Sequence, residues 1–326
     1  MIAWRRFVTV PGYALAWLVW ISSAVVWVPL FAVVDAIRGG GGVLLRCALL
    51  VAVYLTCEVA GVMAGALLWV WAGLVRMEAP RWQDLHFRLE AWWGTTLFRA
   101  VKRFFDLRVE VDDQAQLERG PYLLLLRHAS SGDTLLASAL VSHVHGMRLR
   151  YVLKRELLWD PCLDIVGNRI PNVFVDRFTT DPAREVDLVR RLANDLGPHD
   201  GVLIYPEGTR FSAAKRERAI RRFEKAGDSR MAQYARTLTS VLPPRPGGAL
   251  GLLDAAPDAD VVICSHTGFE GAASLAQIWR GELLHRVIRV QFRRIPRRQI
   301  PHDREERTEW LLDQWSQVSA WVDSHR

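Results

Sequence analysis

Arg127–Thr134 reads RHASSGDT and lies where an apolar run, YLLLL, breaks before apolar periodicity resumes in TLLASAL. A tight turn there brings the Asp133 carboxylate to one nitrogen of His128. That contact fixes the imidazole tautomer and leaves the other nitrogen to accept a proton. A general base so placed contributes about 10²- to 10⁴-fold in rate, enough to turn a hydroxyl into a nucleophile toward an activated acyl carbonyl. Asp133 is equally placed to cap the following helix through backbone amides. A second group of reactive residues follows the run GVLIYP: Glu207, Gly208, Thr209 and Arg210. A guanidinium fork, a hydroxyl and loop amides beside a glycine suit a phosphate. Arg177 ends NVFVDR and Arg245 sits in VLPPRPGGAL. A surface salt bridge fits any one of these arginines as well. Ser130 and Ser131 invite a serine-nucleophile reading, but no G-x-S-x-G elbow surrounds them. Cys47, Cys57, Cys162 and Cys264 form no CxxC pair, so neither a zinc site nor a disulfide framework is indicated.

These groups need strands to deliver them. Short apolar or β-branched runs occur at RVEVDD, YLLLLR, RLRYVLK, NVFVDR, GVLIYPEG, DVVICSHTGF and RVIRVQFRRI, and helical patterns separate several of them. One helix starts at Asp181 and Pro182, turns Val186, Val189, Leu192 and Leu196 to a core, and stops at Gly197. A last helix over about Glu305 to Ser324 carries Trp310, Leu311, Trp315, Val318 and Val322 at helical spacing. The fold class is α/β, a mixed sheet flanked by helices. Chemistry in such folds sits where strands end and loops begin.

The first third differs. Tyr13 to Val34 is an uncharged apolar run of membrane-spanning length. It is too long for a signal peptide and no cleavage site follows, so it reads as a retained anchor. After RGGGG at Arg38 to Gly42, a second run extends from Val43 to Val75, interrupted by Arg46 and Glu58. Its length exceeds the hydrocarbon core, so one end must tilt or project, and its first residues fit the connection as well as the helix. The pair reads as a transmembrane hairpin. Glu58 reads as a protonated or interface-near carboxyl, with a functional role as the alternative. Arg5, Arg6, Arg76, Arg81 and Arg88 favour cytoplasmic ends. From Met77 to Phe105, apolar and basic residues interleave as in a helix lying in the membrane interface or packed on the next domain. The division along the chain is 1–76 hairpin, 77–106 amphipathic segment and 107–326 α/β domain.

The ordered set of motifs resembles the glycerolipid acyltransferases of the lysophosphatidic acid acyltransferase type. Their histidine, four residues and aspartate are matched by His128 and Asp133. The second motif is similar to GNRIPNVFVDR, with Phe174 and Arg177 as counterparts, and the third to PEGTR, Pro206 to Arg210. The fourth is similar to VLPPRPGGAL in the form found in the lysocardiolipin-acyltransferase-like branch. Arg127 stands where many members have asparagine, and Asp176 beside Arg177 is placed to pair with it. The resemblance implies that His128, oriented by Asp133, deprotonates a lysophospholipid hydroxyl, which attacks an acyl thioester directly. It implies that Glu207, Gly208, Thr209, Arg210 and Arg177 hold the acceptor phosphate, with Phe174 and Arg245 as lipid or donor contacts. Acyl-CoA or acyl-carrier protein is then a co-substrate, with no metal or bound cofactor. The expected partners are the lysophospholipid, most simply 1-acylglycerol-3-phosphate, and the bilayer, with the chain integral to the membrane and its α/β domain on the cytoplasmic face; acylation of another lyso-lipid of lysocardiolipin or lysophosphatidylglycerol type, or a non-catalytic lipid-binding role, is the alternative.

The 326 residues are 50% hydrophobic, with fourteen tryptophans and a formal charge of +7. Anionic partners follow from the charge. Ala213 to Arg236 holds eight basic residues against three acidic ones, and reads as a basic helix for anionic headgroups or coenzyme A phosphates, or as a solvated one. With no nucleic-acid motif beside this charge, a nucleic-acid partner is a poor fit.

Overall fold

The computed structural model describes residues 2–39, 41–130, 132–176, 182–272 and 274–326. Arg177, Ser131 and Asp181 lie outside the described residues. In chain order the elements are α1 (Ile2–Ser22), α2 (Ala24–Arg38), α3 (Val43–Val75), α4 (Ala79–Phe104), β1 (Arg108–Asp112), β2 (Tyr122–Leu126), α5 (Gly132–Ala137), α6 (His143–His145), β3 (Arg148–Lys154), α7 (Pro161–Val166), β4 (Val173–Val175), α8 (Pro182–Arg191), β5 (Asp200–Ile204), α9 (Ala213–Lys225), α10 (Ser229–Thr237), α11 (Pro246–Ala255), β6 (Asp260–Thr267), α12 (Leu275–Trp279), β7 (Val287–Ile295) and α13 (Arg304–Ser324). All seven runs read as strands are strands. The chain forms two compact units that interleave in sequence.

The first unit comprises Met1–Arg108, Thr134–Phe178 and Ser274–Arg286. The run read as a single span is broken at Ser23, and its two helices are bent by 65°. Ser22 and Ser23 turn their hydroxyls back onto the Val19 carbonyl, and Pro29 removes an amide from the next turn. Back-bonding serines and proline are recognised causes of such kinks. The glycine turn then reverses the chain, with Gly39, Gly41 and Gly42 all at positive φ. Asp35 accepts hydrogen bonds from the Leu44 and Leu45 amides at 3.1 and 2.8 Å, satisfying donors that the start of α3 leaves unpaired. α3 is helical from Val43 onward, so those first residues belong to the helix rather than to the connection. It is the described helix that alone has the length and hydropathy to cross a membrane; α1 and α2 meet that test only as a bent pair.

Glu58 does not face lipid. It is fully buried and accepts from Trp93 Nε1 at 2.8 Å and the Cys162 amide at 3.0 Å. It therefore fastens α3 to α4 and to the start of α7. Gly61 lets α3 approach α7 so closely that an added Cβ would lie 2.4 Å from Cys162 Sγ. Arg5 and Arg6 both bind the buried Asp164, at 2.6 and 3.0 Å. α4 buries Phe87, Gly94, Thr95, Leu97 and Phe98, which makes it a packed helix of this unit with a basic outer face. β3 and β4 pair in parallel.

The second unit comprises Val109–Asp133, Thr179–Ala273 and Val287–Arg326. Its strands run in the order β1-β7-β6-β2-β5, with β2 parallel to β5 and β6, and β6 antiparallel to β7. Central β2 is at most 1% exposed along its length, which is why its sequence is a continuous apolar run instead of an alternating one. α13 buries Leu311, Trp315, Val318 and Val322, and α11 buries Leu250, Leu252 and Leu253. The core of the second unit is thus a mixed sheet covered by helices. Since β5, β2 and β6 are parallel neighbours, their C-terminal ends open at the same edge.

Candidate active site

At that edge β2 delivers Arg127 and His128, β5 leads into Pro206–Arg210, and β6 ends on His266 and Thr267. His128 Nδ1 lies 3.0 Å from Asp133 Oδ2. A carboxylate only accepts, so Nδ1 carries the proton and Nε2 is the basic nitrogen. Asp133 also accepts the amides of Ala129 and Ser130 at 2.7 and 2.9 Å, and Oγ of Ser130 at 2.9 Å. It therefore does both things open to it: it orients the histidine and satisfies amides, those of the turn before the helix. Ser130, fully buried, donates its hydroxyl to this carboxylate, which leaves it a support and not a nucleophile. The Tyr205 ring packs on the imidazole at 4.2 Å between centroids.

Burial works against ionising Asp133, but the imidazoles of His266 and His128 and the Ser130 amide outweigh it and hold the carboxyl below its ordinary range. The motif pattern does not include His266. Its Nε2 donates to the Arg127 carbonyl at 3.0 Å and stands 3.6 Å from Asp133 Oδ1. Its only sequence signal is a histidine near the end of an otherwise apolar strand. Burial lowers its own pKa.

Arg127 is a brace. Its fully buried guanidinium donates to the carbonyls of His266 and Ser240 at 2.6 and 3.0 Å and to Glu270 at 2.9 Å. Burial opposes ionisation of Glu270, yet Arg127 holds its carboxyl below the usual value. The residue that departed from the family pattern thus ties the end of β2 to two neighbouring loops.

The PEGTR residues divide by role. Glu207 points inward and does not present its carboxylate to a phosphate: its two oxygens accept the His128 and Leu242 amides, each at 2.8 Å. Burial pushes its pKa up to about 8. A carboxyl that accepts two inner amides positions the loop. Gly208 takes φ +68°, and a Cβ there would lie 3.2 Å from Cδ of Arg245. That geometry brings the Arg245 side chain against the PEGTR turn, held also by Arg245 N donating to the Pro206 carbonyl at 2.8 Å. Thr209 and Arg210 are half-buried. Phe211 N donates to the His128 carbonyl at 2.8 Å, so the turn is fastened to the histidine itself. Lys215, also not singled out as a site residue, donates from Nζ to Thr209 Oγ1 at 2.9 Å and to the Arg210 carbonyl at 2.8 Å. The basic segment is two helices, α9 and α10, parted at Gly227 with φ +73°.

Phe174 lies on β4 of the first unit, its ring 3.4 Å from where a Gly167 Cβ would stand. Asp176 accepts from Arg155 at 3.3 Å. No group of metal-ligating side chains occurs among the described residues.

The parallel strand ends of this mixed sheet thus carry a histidine–aspartate pair beside a basic turn. Residues 108–266 match the family model Acyltransferase. Among solved structures, the chain is similar to the 1-acyl-sn-glycerophosphate (LPA) acyltransferase PlsC from Thermotoga maritima. The TM-score is 0.54 at 12% identity, covering 83% of this chain and 94% of that one, a likeness of fold. No match was found among curated proteins.

Proposed function

We propose that the protein is a membrane-bound O-acyltransferase that moves an acyl chain from a thioester to the free hydroxyl of a lysophospholipid, most simply 1-acylglycerol-3-phosphate to give phosphatidic acid. The observation that carries this reading is the His128–Asp133 pair with the PEGTR turn hydrogen-bonded to the His128 carbonyl. His128 Nε2 takes the hydroxyl proton as the oxygen attacks the thioester carbonyl. The carbon–sulfur bond then breaks, and the proton passes from the imidazolium to the departing thiolate. No acyl-enzyme forms, in keeping with the buried, hydrogen-bonded Ser130. Arg210 and Arg245, with Lys215 bracing Thr209, are suited to the acceptor phosphate, and Arg177 is assigned to the same task. The donor is acyl-CoA or acyl-carrier protein. The apolar α3 and the exposed Leu15, Val26, Leu30, Leu67 and Leu74 support a bilayer-facing surface; placing the α/β domain on the cytoplasmic face is part of the proposal and rests on the N-terminal arginines.

The test is acyl transfer by purified membranes, from both donors, to lysophosphatidic acid and to other lyso-lipids. Lysophosphatidic acid should be the best acceptor, and His128→Ala should lose activity about 10²- to 10⁴-fold. Full activity in His128→Ala, or no acceptor acylated by the wild type, overturns the reading.

A further inference from the structure

The first unit contains a cavity of about 320 Å³ whose lining includes Arg88, Arg99, His143 and Arg148. The lining holds three arginines and one carboxylate, Asp84, which is paired with Arg88 at 2.8 Å. Arg99 Nη2 lies 2.8 Å from His143 Nε2. Since arginine can only donate, His143 is the acceptor and fixes the guanidinium in place. The lining therefore carries more guanidiniums than carboxylates.

It does not end in solvent alone. Trp92 and Thr96 line both this cavity and an adjoining groove of about 270 Å³, whose α3 wall includes Leu49, Val53 and Ala60 and which extends to Phe104 on α4. From Trp92 to Phe104 the groove follows α4 for about 18 Å at 1.5 Å per residue, the scale of a fatty acyl chain. The indole of Trp92, 41% exposed, stands where basic cavity and apolar groove meet, a position that suits an amphipathic ring.

We infer that the cavity and the groove beside it together form a binding site for an anionic phospholipid, with the phosphate among Arg88, Arg99 and Arg148 and one acyl chain along the α3–α4 groove. A soluble phosphate or nucleotide has no use for the groove. A zwitterionic or neutral lipid gains less from three guanidiniums, which match phosphate oxygens as bidentate donors. The groove wall is built by α3, the span-length apolar helix, so a bilayer lipid reaches it without leaving the membrane. Every residue lining the cavity and groove belongs to the first unit, and the inference stands without the proposed acyltransferase activity.

The full-length protein, reconstituted in phosphatidylcholine vesicles, provides the test. Vesicles carrying brominated-tail phosphatidylglycerol should quench a tryptophan emission component that is missing in Trp92→Phe. Brominated phosphatidylcholine at the same mole fraction should quench that component at least fivefold less. Arg99→Gln combined with Arg148→Gln should abolish the preference; should the pair fail to fold by circular dichroism, the exposed Arg99→Gln alone should weaken it at least twofold. Equal quenching by both lipids overturns the site, as does a preference untouched by a folded arginine variant. Displacement by millimolar inorganic phosphate or coenzyme A, with no dependence on the lipid tail, would reduce it to a simple anion site.

Discussion

Two loops of the second unit each bury a carboxylate among backbone amides, and the two carboxylates end in opposite protonation regimes. Asp133 is held below its ordinary pKa, and Glu207 is pushed up to about 8. Both accept two amides. Asp133 in addition accepts a serine hydroxyl and faces two imidazoles, His128 at 3.0 Å and His266 at 3.6 Å. Glu207 has the Arg127 charge in its favour but the Asp133 charge against it. The lesson is that two amides do not offset the desolvation of a buried carboxylate, and that further donors decide the matter. One loop thereby holds its carboxyl below the ordinary range behind a base, while in the other burial raises it.

The strongest way to break this comparison is to remove the charge from the first loop. Asp133→Asn should cut kcat/KM of acyl transfer by about 10²- to 10⁴-fold through the wrong histidine tautomer. It should do so with the fold retained by circular dichroism. Next, Arg127→Met removes the guanidinium shared by two carbonyls and Glu270 and should destabilise the protein by about 3 kcal/mol in denaturant unfolding.

The pH profile sharpens the contrast. A glutamate with a raised folded pKa contributes stability that is full below its unfolded pKa and is lost as pH rises toward about 8. The slope is at most about 1.4 kcal/mol per pH unit for one proton. Glu207→Gln should lower stability yet abolish this alkaline fall. Asp133 contributes in the other sense: its depressed pKa stabilises above the ordinary aspartate value, and that stability is lost as pH falls through the folded pKa. A Glu207→Gln protein that keeps the wild-type slope up to pH 8 would dissolve the distinction.

Smaller effects test the turn itself. Gly208→Ala places a Cβ at φ +68° and 3.2 Å from Arg245, which should cost about 1–2 kcal/mol and raise KM for the phosphate-bearing acceptor. Lys215→Ala releases Thr209 and the Arg210 carbonyl and should raise KM tenfold or less, leaving kcat near wild type.

Much of this architecture is legible along the chain, because it depends on local pattern. YLLLL reads as a buried strand since a central parallel strand has no polar face to show, and the seven strand runs follow from the same periodicity. The His128–Asp133 contact is legible because both partners lie within one turn. The N-terminal break is half-legible: Ser22–Ser23 and Pro29 stand in plain sight, yet hydropathy averages over them. Glu58 shows the other limit. As a charge in an apolar run it looks like an interfacial or functional group, but Trp93 and Cys162, its partners, are 35 and 104 residues away.

What the amino-acid order alone determined is the strand set, the apolar helices and the short-range pair of base and orienting acid, all of which rest on neighbours within a few residues. Only the tertiary structure decided that Glu207 faces inward, that His266 stands behind Asp133, that Arg127 is a brace, and that an arginine-lined cavity and an apolar groove share Trp92 and Thr96. Each of those depends on which strand ends and helix faces become neighbours. A side chain's charge state and partners are set by whatever surrounds it in space, and spacing along the chain carries no record of that.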